Sequence, residues 1–441
     1  MNNVKKVGAI GGAIVIAACW PLAVGQIGQT IIKDGVQKMH SPDVNVSLVK
    51  YDRGYLSSDM TSRITVTDSK LAHQFKADGL PTTFLVHSKI DHDLLSLSST
   101  TTLPDYPDFP FMLETQTQLN GNTNFKLNIE KWNYQHKGKD AYSVSTSAGN
   151  VTGMITKLGE VNFKSTLPSV AIDFANDAKI TVHDIAVEGS GKRAGSLWLG
   201  DQTLTIGSMN AVGTSMAPPK PGANSQSMEK AEPITATVKG LTYNFNSRLD
   251  KKETRFTSQH KVTIDEFSSD DFDAHDLTLG VALNNIDRAS FIQLSDMFNG
   301  RSKITGRDVG RALPFIDTMF AKGFSIELTQ LDGKIDDGDF TSQLKLSMPE
   351  GTEHVTRNPA QVMQLLQGNL GVTLSESLAK QYPMLQRTAD ELVVSEIAKQ
   401  GQDGYTMKAK IEKGNLVFDE GHKIPLQALM MMGMGLLQYA H

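Results

Sequence analysis

Two short stretches collect side chains able to hold an ion or move a proton. Asp91-His92-Asp93, with His87 five residues earlier, is one of them. On a strand successive side chains point to opposite faces, so His92 would face away from Asp91 and Asp93, and the three reach one ion only across a turn. The other is Asp265–Asp276, DEFSSDDFDAHD, with six acidic residues and His275 among twelve. A calcium loop of the EF-hand type needs glycine at its sixth position and glutamate at its twelfth. Asp270 and Asp276 stand there instead, so the stretch reads as a solvated loop, and the DGKIDDGD run Asp332–Asp339 reads as a hairpin turn. A G-x-S-x-G elbow and an S-x-x-K signature are both missing, and Gly8-Ala9-Ile10-Gly11-Gly12 follows no strand as a phosphate loop would. The expectation is a protein without catalytic residues, metal or cofactor.

The elements that would carry these residues begin with an uncharged run, Val7–Val24, preceded by Lys5 and Lys6. Its eighteen residues, with Val7, Gly8, Gly12, Ile16, Trp20 and Val24 spaced along it, meet the lower limit for a membrane-spanning helix. The lysines predict a cytoplasmic N-terminus and a chain whose bulk lies across the membrane. The run accommodates three fates. It is an uncleaved anchor; or, since Cys19 follows Ala17-Ala18, a lipoprotein signal with Cys19 as the lipidation site; or a cleaved secretory peptide. Cys19 is the single cysteine, so no intrachain disulfide exists and the fold rests on its core and sheet ladders.

A net charge of −5, from 43 basic and 48 acidic residues, gives no footprint for nucleic acid. Residues 1–40 read as anchor and connecting helix. Residues 41–216 alternate apolar and polar side chains in short segments between turns, which predicts an antiparallel β region without helices. The Pro- and Ser-rich 217–233 reads as a flexible loop. Residues 234–441 mix strands with helices at 290–321, 358–367 and 378–400, and close on an apolar, methionine-rich tail helix, Ala428–Leu437. The fold class is mainly β with α (α+β): an N-terminal transmembrane helix, then a long, curved antiparallel meander with helices in its C-terminal half.

The segment Val46–Val66, VSLVKYDRGYLSSDMTSRITV, resembles the signature of the YdgA/YihF-like envelope proteins, a bacterial family of undefined function, through Tyr51, Arg53, Gly54, Leu56, Ser57 and Ser58. Asp91-His92 is similar to a further step of that family, although Asp93 replaces its glycine, and Gly414, Leu416 and Pro425 resemble markers of its terminal hairpin. The resemblance implies an anchored protein facing the periplasm and supplies no catalytic residue. In outline the chain also resembles AsmA-like proteins, which handle envelope lipids. Within the signature, Arg53-Gly54 is expected to form the turn, Tyr51 and Leu56 to cover each other, and Ser57 and Ser58 to cap backbone groups.

These readings converge on a single-pass inner-membrane protein of the Gram-negative envelope, a non-enzymatic scaffold or binding protein for lipid or a hydrophobic partner. The alternatives are a structural homodimer closed by anchor and tail, and a hydrolase with dispersed catalytic residues.

Overall fold

Hairpin follows hairpin because runs of alternating polarity are separated by residues that turn easily. A computed structural model describes residues 44–54, 56–77, 81–92, 96–105, 111–118, 120–136, 141–175, 178–194, 196–214, 233–298, 305–419 and 421–428. The run Val7–Val24 with Cys19, nearly all of the 217–233 loop, and the tail beyond Ala428 lie outside them. Among the described residues no helix is long and apolar enough to cross a membrane. The chain divides into two compact units, the second comprising residues 194–203, 234–299 and 304–441.

The first unit is a meander with antiparallel pairings throughout. β1 (Val44–Arg53), β2 (Ser57–Val66), β3 (Thr83–His92), β4 (Ser96–Thr102), β5 (Phe111–Gln118) and β6 (Thr123–Ile129) pair in succession. β7 (Trp132–His136) continues β6, and both keep one register against β8 (Tyr142–Thr146) and β9 (Gly149–Ile155). β8 and β9 share one edge of β10 (Glu160–Phe174), whose other edge takes β11 (Lys179–Ala194). The inward positions of β1 to β6 and β9 form one core cluster, including Val46, Met60, Val86, Ile90, Leu113 and Leu127. A run of buried hydroxyls crosses the same face, with Ser88 to Thr101 and Ser99 to Thr115 at 2.8 Å and Thr117 to Thr123 at 2.9 Å. Inside a low-dielectric interior each hydroxyl needs such a partner.

One short helix, α1 (Ser69–Ala77), corrects the expectation of a helix-free region up to residue 216. Asp68 Oδ1 accepts the Leu71 N–H at its start, and Leu71 and Phe75 bury against Val66. Nine residues are about two and a half turns, too few for a helical period to stand out.

After β12 (Leu197–Thr214), the second unit runs through β13 (Pro233–Leu249), β14 (Arg255–Ser269) and β15 (Asp273–Asp287) to α2 (Arg288–Phe298) and α3 (Gly306–Ala321). Next come β16 (Phe324–Ile335), β17 (Gly338–Met348), α4 (Pro359–Leu365) and β18 (Gln367–Ser375). α5 (Glu376–Gln381) and α6 (Pro383–Val394) separate β18 from β19 (Lys399–Gly401) and β20 (Gly404–Glu412), and β21 (Asn415–Phe418) and β22 (Lys423–Pro425) close the sheet. From β13 to β18 each strand pairs with the next, and β20 then pairs with β18 on one edge and with β19 and β21 on the other.

α2 and α3 are fastened to the sheet by charge. Asp287, 1% exposed, accepts from Ser290 N at 2.9 Å, from Ser290 Oγ at 2.7 Å and from the Lys322 ammonium. Burial pushes the Asp287 carboxyl up, but the Lys322 and Ser290 bonds outweigh it and hold the carboxyl below its usual range. Arg255 adds a clamp, donating to the carbonyls of Asn285 and Gly323 at 2.9 Å each and to that of Lys322. Phe256 meets Phe291 edge-on at 4.7 Å beneath this pair.

Candidate functional site

The signature residues gather at one end of the first three strands. Val44, Val46 and Leu48 face the core at alternate positions, and a bulge between Leu48 and Lys50 then shifts the parity, so Tyr51 faces inward as well. There the Tyr51 hydroxyl donates to Ser58 Oγ at 3.2 Å, and Ser58 Oγ stands 2.9 Å from His92 Nε2. Ser58 therefore joins two side chains, where a backbone cap was expected. Leu56 is 70% exposed while Tyr51 packs on the core, so the expected mutual cover between them does not form. Gly54 donates its N–H to the Ser57 carbonyl at 2.8 Å, and a Cβ at Gly54 would lie 2.6 Å from that oxygen. Close approach, rather than an unusual backbone angle, requires the glycine. Arg53 ends β1, its backbone in register with Ser58.

His92 lies inside this network, whereas Asp91 is exposed and His87 pairs with Asp59 at 3.4 Å. The stretch around His92 thus splits between two faces, with Asp93 outside the described residues. Ser58 and His92 have the contact of a nucleophile with its base, but Ser58 is 0% exposed, so substrate has no approach. The network locks three strand ends together.

The expected acidic loop at Asp265–Asp276 is a hairpin, turned at Ser269–Phe272, whose acids have separate partners. Glu266 pairs with Lys239 at 2.7 Å, Asp270 takes the Thr235 N–H at 2.7 Å, and Asp276 lies 3.4 Å from Lys334. Among the described residues no cluster of three or more ligand-type side chains is placed to hold a metal.

The broadest feature comes from register in the second unit. Phe245, His260, Val281, Leu328, Leu344, Leu370 and Ala409 are successive cross-strand partners from β13 to β20. On one side of this row runs a second, Ser258, Leu283, Ile326, Leu346, Gly368 and Ile411, and on the other a third, Val262, Leu279, Leu331, Ser342, Val372 and Met407. The reverse face is polar: on β17, Asp339, Thr341, Gln343 and Lys345 are exposed while Phe340, Ser342, Leu344 and Leu346 are partly buried. Bulges keep the rows aligned across β16, and at Gly280 an added Cβ would collide with the Thr329 side chain.

Helices cover this face at two ends, and at β20 its members Ala409 and Ile411 are buried in a cluster that also takes in Leu344, Leu346, Leu366, Ile397 and Ile424. α2 and α3 pack over Phe256, Ile286 and Phe324, and α5 and α6 over Leu374 and Tyr405. Between them Leu279 and Ile326 remain 41% exposed, and Val281, Leu328, Leu344 and Leu370 are only partly buried. From His260 to Leu370 the central row crosses four strand spacings, about 19 Å.

One polar constellation interrupts the apolar floor. The Tyr243 hydroxyl lies 2.7 Å from His260 Nδ1, and Ser258 Oγ lies 3.0 Å from His260 Nε2. Burial lowers the imidazole pKa and raises that of the Tyr243 phenol, so both are neutral at pH 7. Acyl transfer would also require oxyanion donors. Ladder pairing on both edges of β14 at Ser258–His260 already engages the nearby backbone N–H groups. Sequence spacing gives no sign of these rows, since each member comes from a different strand.

Fold and site define a class: an antiparallel meander protein whose second unit presents an apolar sheet face framed by two helix pairs. The chain belongs to the family described as bacterial protein of unknown function, DUF945, whose model matches residues 4–427. No curated protein and no solved structure matches it.

Proposed function

We propose that this protein is a non-enzymatic binding protein of the bacterial envelope that takes a lipid acyl chain on the apolar face of its second unit. The observation that carries this is the central row, from Val281 to Leu370, whose side chains are in register and only partly buried. A broad apolar surface left part-exposed between polar edges marks a place where another apolar body lies. The row is long enough for one acyl chain, which fills half of a ~30 Å bilayer core, about 15 Å. Val7–Val24, the lysines before it and the likeness of Tyr51–Ser58 to YdgA/YihF-like envelope proteins support attachment to the inner membrane with the bulk in the periplasm.

Native mass spectrometry of the full chain, extracted from membranes in mild detergent, tests the reading. Wild-type protein should carry an acyl lipid, and Leu328→Glu with Leu344→Glu should lose it. Wild-type protein without lipid, or a double variant that retains it, would refute the proposal. A dimer that withstands removal of lipid would favour the homodimer reading instead.

A further inference from the structure

We infer that Tyr243, His260 and Ser258 form the polar end of the apolar floor and that the occupant is a single-chain amphiphile ending in a carboxylate. The inference rests on the acyl-chain reading above and names the chemistry of its ligand. It follows from counting protons. Neutral Tyr243, His260 and Ser258 hold three polar hydrogens: two hydroxyl hydrogens and one on the ring. The two contacts, 2.7 Å at Nδ1 and 3.0 Å at Nε2, use two of them. If the ring hydrogen is on Nε2 it serves Ser258, Tyr243 serves Nδ1, and the Ser258 hydrogen is left over. If it is on Nδ1, the Tyr243 hydrogen is left over. Either way one hydroxyl donor remains, and a second appears when the ring is protonated. An occupant of this end therefore needs to present acceptors.

The surroundings favour a negative acceptor. On this face the neighbours of His260 are Phe245 and Ser247 from β13, Val262 on its own strand, and Val281 and Leu283 from β15, all uncharged. Lys261 belongs to the reverse face, and Glu266, six residues from His260 along β14, is paired with Lys239. An imidazolium here would have no counter-ion among the described residues of those strands, and a bound carboxylate supplies one. The tail of the ligand then runs from His260 along Val281, Leu328 and Leu344.

The test compares two probes on the full chain: a fluorescent sixteen-carbon fatty acid and its methyl ester. Wild-type protein should bind the acid about tenfold more tightly, the ratio that ~1.4 kcal/mol supplies. The triple variant Tyr243→Phe, Ser258→Ala, His260→Phe, which leaves no polar hydrogen at this end, should bring the acid down to the level of the ester while leaving ester binding unchanged, which also shows that the variant remains folded. Equal binding of acid and ester by wild-type protein, or a preference that survives the triple substitution, overturns the inference and leaves the acyl-chain reading standing. Failure of wild-type protein to bind either probe overturns both.

Discussion

Asp287→Ala tests how the helix pair α2–α3 is fastened beside the apolar face. The substitution removes the side-chain cap of α2, worth about 1 kcal/mol. It also takes a charge-assisted bond of roughly 2 kcal/mol from Ser290 Oγ, whose residue is 2% exposed. The Lys322 side chain is 44% exposed, so its ammonium turns to water and its ion pair counts for little. The expected loss is about 3 kcal/mol, or close to 1 M in urea midpoint at a slope of ~3 kcal/mol per molar. Asp287→Asn keeps an oxygen for the cap and should lose less than half as much. Circular dichroism gives the midpoint, and hydrogen exchange at the Ser290–Phe298 amides localises the effect. The pH dependence has a definite sign: the folded pKa lies below the unfolded value near 3.9, so the contribution is complete above that value and disappears as pH falls through the folded one. The gap between wild type and Asp287→Ala should be constant near neutrality and close in acid. A variant within 0.5 kcal/mol of wild type, roughly the scatter of surface substitutions, or an Asn variant as damaged as Ala, would refute the account.

Four other outcomes are expected. Ser58→Ala, which leaves the Tyr51 hydroxyl and His92 Nε2 without their shared partner, should destabilise the first unit by about 2 kcal/mol in urea titration. Gly54→Ala places a Cβ against the Ser57 carbonyl and should lose roughly 1–3 kcal/mol, whereas a neutral result would remove the close-approach argument. Burial depresses the His260 pKa, so the unfolded chain binds more protons and stability should decline as pH falls below about 6.5; His260→Phe should flatten that part of the curve, as read from thermal midpoints. Cys19→Ser leaves processing and membrane retention unchanged if Val7–Val24 is an uncleaved span, and abolishes a lipid-modified form on gels if it is a lipoprotein signal.

The strands were legible where polarity alternates without interruption. The Val44–Val66 hairpin follows from that pattern, and so does the pairing of Phe324–Leu331 with Asp339–Leu346. The interruption of the C-terminal helical stretch at Pro383 also follows, with α6 starting there as proline at a first helical position allows. α1 was not legible, because Leu71, Ala72 and Phe75, although on one helical face, are too few in nine residues to stand out from the alternation around them. Nor was the meeting of Tyr51, Ser58 and His92, which depends on one extra residue, Val49, reversing the facing of everything after it in β1. The cross-strand rows are further from sequence still. His260, Val281, Leu328 and Leu344 become neighbours only through three separate registers, each set by its own turns and bulges.

Pairing between strands close in sequence has a consequence for assembly. In a β protein the slow step is usually the search for partners far apart along the chain. Here the strands from β1 to β6 each find their partner in the one just laid down, and so do those from β13 to β18. A chain delivered N-terminus first can therefore build each of these stretches one hairpin at a time, with a single growing edge exposed at each stage. Such an edge invites pairing with other chains until it is finished. Among the described residues of the second unit the last strand is the short Lys423–Pro425, and its lysine and proline are residues that make a poor template for a further strand. Replacing Lys423 and Pro425 by strand-forming residues should leave the fold intact and turn that edge into a site of chain-to-chain addition.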